Sequence, residues 1–156
     1  MAIITLNNNS LVNADVGKVL QCKNTLAQTS QNTTSTSYVD ITEFTDLAIT
    51  PSTTGNLILV QINLCAFHVG GGRLGLDLHM KTGAGSYSSQ IADTEVVHDT
   101  NTSGQSSTGY SLMYQHTTTT IDEHNFKLRI KSNNSSYLVG VNDNGASSVT
   151  LWEIQS

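Results

Sequence analysis

Residues 57 to 81 alternate apolar and polar side chains with a period of two, and that pattern leaves few folds open. In Leu57-Ile-Leu-Val-Gln-Ile-Asn-Leu-Cys-Ala-Phe-His68 the even positions Ile58, Val60, Ile62, Leu64 and Ala66 are apolar, while Gln61 and Asn63 interrupt the odd face. In Arg73-Leu-Gly-Leu-Asp-Leu-His-Met-Lys81, Leu74, Leu76, Leu78 and Met80 alternate with Arg73, Gly75, Asp77, His79 and Lys81. Successive side chains of a strand point to opposite faces, so both runs read as long strands with one buried face each. Val69-Gly-Gly-Gly72 joins them with no side-chain barrier to reversal, and the expected arrangement is an antiparallel hairpin.

Shorter strands are expected at 18 to 23, 37 to 41, 44 to 50 (stopped by Pro51), 87 to 92, 95 to 97, 110 to 115, 125 to 131, 137 to 141 and 148 to 154. Tracts rich in Ser, Thr, Asn and Gly separate them: 28 to 36, 52 to 56, 82 to 86, 99 to 109, 133 to 136 and 142 to 145. No stretch carries a helical period. About ten short strands in one chain predict an all-β antiparallel sandwich, and at this size the jelly-roll is the common solution. The expected organisation is a polar N-terminal arm, 1 to 16, and one jelly-roll domain, 17 to 156.

The surface must be unusual. Ser, Thr and Asn account for 53 of 156 residues, and charged residues for only 12%, against roughly 25% in ordinary soluble domains. Few charges leave less to desolvate when a protein packs against neighbours. A net charge of −5 and scattered basic residues argue against nucleic-acid binding. Lys127, Arg129 and Lys131 alternate with Phe126, Leu128 and Ile130, as on the solvated face of a strand. The N-terminus has no basic start and too short an apolar stretch for a signal peptide, and no transmembrane span is expected. Without a secretory signal, the sequons at Asn8, Asn32, Asn101, Asn133 and Asn134 are by-products of composition. Cys22 and Cys65 fall inside apolar strand patterns and are expected to be two buried free thiols.

Chemistry is sparse. His68 and His79 sit on the two long strands, with Asp77 on the face of His79, but no His-x-His or His-x₃-His pair occurs. They read as exposed polar-face residues, and no metal or cofactor is expected. His116 and His124 flank Thr117-Thr-Thr-Thr-Ile-Asp-Glu123, yet there is no Gly-x-Ser-x-Gly elbow. Gly70 to Gly72 lack the Lys-Ser/Thr of a phosphate loop, and Asp93 and Glu95 read as an ordinary pair. Enzyme activity and catalytic residues are therefore not expected. In the last strand Leu151 and Glu153 share one face and Trp152 and Ile154 the other, and the indole is expected to close the core or make a subunit contact. Tyr87, Tyr110 and Tyr114 border the long loop and are the candidates for exposed contacts.

Three segments resemble small virion proteins of marine and cyanobacterial bacteriophages. They are Ile4-Thr-Leu-Asn-Asn-Asn-Ser10 leading to Gly17-Lys-Val-Leu-Gln21, Thr36-Ser-Tyr-Val-Asp40 running on to Ile49-Thr-Pro-Ser52 and Leu57-Ile-Leu-Val60, and Val149-Thr-Leu-Trp-Glu-Ile154. Leu11-Val-Asn-Ala-Asp-Val16 replaces the proline and small-residue link such proteins carry before the Gly-Lys-Val-Leu-Gln motif. The resemblance implies a trimeric jelly-roll similar to tumour-necrosis-factor and C1q-like heads, used in capsid decoration or cement proteins, head fibres and tail-fibre tips. In the first reading a homotrimer sits on the particle and the arm residues Ala2, Ile3, Ile4 and Leu6 add a strand to the phage major capsid protein or another virion protein. In the alternative, a tail-fibre tip touches a host surface glycan through loops 82 to 86 and 93 to 109, with Tyr87, His98, Asp99, Asn101 and Tyr110 as contacts. Neither coiled-coil heptads nor shaft repeats are present, which favours decoration. The expected location is the virion, assembled in the host cytoplasm.

Overall fold

The long apolar runs become the two central strands of a sandwich. The structure is a computed structural model and describes residues 17–98 and 104–156. Among these residues eleven strands follow one another: β1 (Val19–Ala27), β2 (Gln31–Thr33), β3 (Val39–Asp40), β4 (Leu47–Ile49), β5 (Leu57–Val69), β6 (Arg73–Thr82), β7 (Ser88–His98), β8 (Gln105–Thr117), β9 (His124–Ser132), β10 (Leu138–Val141) and β11 (Ser147–Ile154), with a single 3-10 turn at Thr42–Phe44. No helix among the described residues is long and apolar enough to cross a membrane.

The strands form two antiparallel sheets, one of six strands and one of five. In the first, β8 runs along one edge of β5, while β11 and then β10 occupy the other edge in tandem. β1 lies outside β11, and β2 outside β10. In the second, β9 pairs with β6 on one side and with β4 and β3 in tandem on the other, and β7 lies outside β6. With each tandem pair counted as one broken strand, both sheets are four strands wide. The neighbour relations are those of an eight-stranded jelly-roll.

The glycine tract does not make a hairpin. β5 and β6 lie in opposite sheets, so Gly70 to Gly72 form a corner between layers. Gly70 and Gly71 take φ of 76° and 81°, a region L side chains rarely enter. A Cβ on Gly72 would come within 2.9 Å of the Tyr137 Cβ. The alternation was correct and the connection was not, because a hairpin and a corner bury the same residues. Ile58, Val60, Ile62 and Leu64 face Leu74, Leu76 and Leu78 across the interior, with Phe126, Leu128 and Ile130 beside them. Each such side chain contributes roughly 1.5–3 kcal/mol by leaving water.

Several expected boundaries move. The tract 28 to 36 holds the short strand β2, and one irregular strand, β7 (Ser88–His98), stands where two were expected at 87 to 92 and 95 to 97. β8 begins at Gln105, inside the tract 99 to 109 expected to separate strands. A polar sequence gives no hydrophobic period on a sheet edge, so it reads as loop even where its backbone pairs.

Candidate functional site

The outer faces of the two sheets differ in kind. Register places Cys22, Trp152, Leu59 and Gln115 in one row across the outside of the first sheet. Asn24, Thr150, Gln61 and Met113 make the next row, and Leu26, Ser148, Asn63 and Ser111 the one after. Ile154, Leu57 and Thr117 close the face at the other end. No position in these rows carries a charge. Leu26 is 57% exposed and Met113 56%, while Leu57, Leu59, Trp152 and Ile154 are half-buried. Leu20, at the bulge where β1 slips against β11, is also exposed.

The period-two pattern of β11 accounts for this face. Leu151 and Glu153 point inward and are buried, which turns Trp152 and Ile154 outward. The indole does not close the core. What takes its place inside is a carboxylate: Glu153 is fully buried and accepts hydrogen bonds from Gln21 Nε2 at 2.6 Å, Asn56 Nδ2 at 2.6 Å, and the Ser52 N–H and Oγ–H at 2.7 Å each. Burial acts to raise its pKa, but the donations from Gln21, Asn56 and Ser52 outweigh burial and hold it at about 2.

Charge gathers on the other sheet. Arg73 and Lys81 of β6 and Lys127, Arg129 and Lys131 of β9 occupy the odd, outward positions of their strands. The basic stripe is thus a strand face, as its alternation predicts. Asp40 lies 3.0 Å from Lys127 Nζ and 2.9 Å from Arg129 Nε. Burial works to raise the Asp40 pKa, and the two cations outweigh it and hold it below the ordinary carboxylate value. The Tyr87 ring packs between the ammonium groups of Lys81 and Lys127, at 5.0 and 4.7 Å from its centroid. On the same face His79 Nε2 meets Asp77 Oδ2 at 2.7 Å, and Ser89 Oγ donates to the other carboxylate oxygen at 2.6 Å.

The histidines and tyrosines depart from expectation. His68 occupies an even position of β5 and is buried, whereas His79 faces outward from the opposite sheet. The two point away from each other, so no metal site joins them. Among the described residues no group of three or more His, Cys, Asp or Glu could hold a metal ion. Tyr110 and Tyr114 face inward from β8 against the core, and Tyr114 OH donates to Gln90 Oε1 at 2.7 Å. They are not exposed contacts, and Tyr87 is engaged by its lysines. Cys22 and Cys65 are both free thiols, but neither is buried: Cys22 is exposed on the outer face and Cys65 is half-buried. His98 ends β7. Ala2, Ile3, Ile4 and Leu6 of the arm, and Asp99 and Asn101 of the loop, lie outside the described residues. The uncharged face was legible in the odd positions 57, 59, 61 and 63, but only the strand order brings them beside Trp152 and Met113.

No protein-family model matches the chain, and no curated protein matches it. Among solved structures, the fold is similar to a chain in the structure of infectious bursal disease virus, Gx strain, with a TM-score of 0.41 and 10% sequence identity. The match covers 85% of this chain and 36% of that one.

Proposed function

We propose that this chain is a structural protein of a bacteriophage virion, a homotrimeric capsid decoration or cement protein or head fibre. It joins the phage major capsid protein or another virion protein through the arm residues Ala2 to Leu6. The observation that carries the reading is the segregation of charge: the rows across the outside of the first sheet carry only uncharged side chains, apolar, amide, hydroxyl and thiol, and the outside of the second holds most of the cations among the described residues. Depletion of charge with a central aromatic residue is the compositional mark of an interface core. A closed ring of three copies buries that face in every subunit without leaving an open end. The charged sheet then faces solvent or the particle. The resemblance to phage virion proteins supplies the setting, and the β-prone sequence Ala2-Ile-Ile-Thr-Leu6 suits addition to another sheet edge.

Light scattering on the wild-type protein should give three times the 16.7 kDa chain mass. Leu59→Arg, placed in the middle of the uncharged face, should give a monomer with an unchanged β-type circular dichroism spectrum. A lone-chain mass for the wild type defeats the trimer, and a trimeric Leu59→Arg protein moves the interface elsewhere. Antibody labelling of intact particles then separates heads from tail tips.

A further inference from the structure

Two histidines from opposite sheets meet at one end of the sandwich. His116 is an inward residue of β8, paired with Ile58, and His124 begins β9 between Thr82 and Ile49. Their ring centroids are 5.1 Å apart and the planes are inclined by 51°. His124 is 1% exposed. Its Nδ1 lies 2.9 Å from the Asp122 carbonyl oxygen. A carbonyl only accepts, so Nδ1 carries the proton and Nε2 keeps its lone pair. That Nε2 is buried with no hydrogen-bond partner among the described residues, and so is Nε2 of His116. A buried polar atom left unsatisfied is costly and calls for an explanation such as an ion.

We propose that His116 and His124 form a two-histidine site for one zinc ion or a similar divalent transition metal, clamping the two sheets together. Two imidazoles sharing a tetrahedral zinc at about 2.0–2.1 Å hold their ring centres roughly 5 Å apart, which is the separation present here. The donation from His124 Nδ1 to a backbone carbonyl is the outer contact that metal-bound imidazoles generally make, and it fixes the ring with its lone pair free. His116 is only half-buried as a residue, so the pair lies close to the surface although both Nε2 atoms are themselves buried. Imidazole suits zinc, copper and nickel, whereas the lack of a carboxylate in the pair disfavours calcium and magnesium.

The test titrates zinc chloride into the full chain in a non-chelating buffer, with calorimetry and thermal melting as readouts. One ion should bind per chain, raising Tm, as ligand linkage to the native state requires. His116→Gln should weaken binding by about tenfold or more through loss of one of two ligands, and His79→Gln should leave it unchanged. His124→Gln should abolish the Tm rise, and if that variant does not fold, the half-buried His116 still decides the matter. With copper in place of zinc, electron paramagnetic resonance should show two coordinated imidazole nitrogens in the wild type. Absence of any Tm rise, or a rise equal in the wild type and His116→Gln, overturns the site.

Discussion

Asn56 Nδ2 donates to Glu153 Oε1 at 2.6 Å, joining the turn before β5 to the end of the last strand across 97 positions of chain. Glu153 is an ionised carboxylate among neutral donors, with no cation among the hydrogen-bond partners described for it. Such a node stabilises only while the group remains charged.

Acid should expose this dependence. The Glu153 pKa is about 2 in the folded chain against an ordinary 4.5, so its contribution is complete above pH 4.5 and is lost as pH falls towards 2. At about 1.4 kcal/mol per pKa unit, a shift of this size corresponds to roughly 3 kcal/mol. Urea midpoints across this range should fall for the wild type and stay flatter for Glu153→Gln, which should already be less stable at pH 7.

His116 titrates in a separate window. Burial and His124 depress its pKa below 6.5, so the unfolded chain binds its proton first as pH drops. Stability should decline as pH falls through 6.5 and level off below the folded pKa. Thermal melting at fixed ionic strength should show that slope in the metal-free wild type and lose it in His116→Gln.

The two faces of β5 should respond oppositely to the same change. Ile62 is fully buried, so Ile62→Asp places an unpaired carboxylate in the core and should cost several kcal/mol, enough to prevent folding. Gln61→Asp faces outward and should fold, although a charge on that face should weaken self-association. Equal yields of soluble protein from the two variants would show the register to be wrong.

Gly140 tolerates no side chain. A Cβ there would sit 2.3 Å from the Gln31 carbonyl oxygen and 2.6 Å from the Phe67 ring, and both lie on strands paired with β10. Gly140→Ala should therefore destabilise by about 1–3 kcal/mol, as overpacking generally does. A denaturant midpoint equal to that of the wild type contradicts the close packing of β2 on β10.

Deleting Met1 to Asn9 should leave the melting temperature and the trimer nearly unchanged while abolishing incorporation into particles. Loading at wild-type occupancy would transfer attachment to the folded head.

The sandwich was readable because burial of one sheet face imposes alternation, and the even positions from Ile58 to Ala66 and from Leu74 to Met80 are all apolar. The same rule was silent about which strands pair. It assigned Gly70 to Gly72 a hairpin because the code for reversal is local, whereas the corner is set by what β5 and β6 meet elsewhere. Glu153 and Trp152 show the opposite failure: the alternation assigned each its own face, but residue type suggested the indole for the interior. Only the donors Gln21, Ser52 and Asn56, distant in sequence, make a buried carboxylate tolerable. His116 and His124 flank one short tract in the sequence, but only the placement of β8 and β9 in opposite sheets turns the two rings towards each other.

The glycine corner also sets the tempo of folding. By sending β6 into the opposite layer, it denies β5 its nearest neighbour in sequence and leaves it to wait for Thr117 and Glu153, which pair with Leu57 and Ile58. Contacts this distant close slowly, on the millisecond-to-second scale typical of β-sandwiches. During that delay the longest apolar strand of the chain has both edges open, and chaperone demand and aggregation during synthesis should follow from the corner.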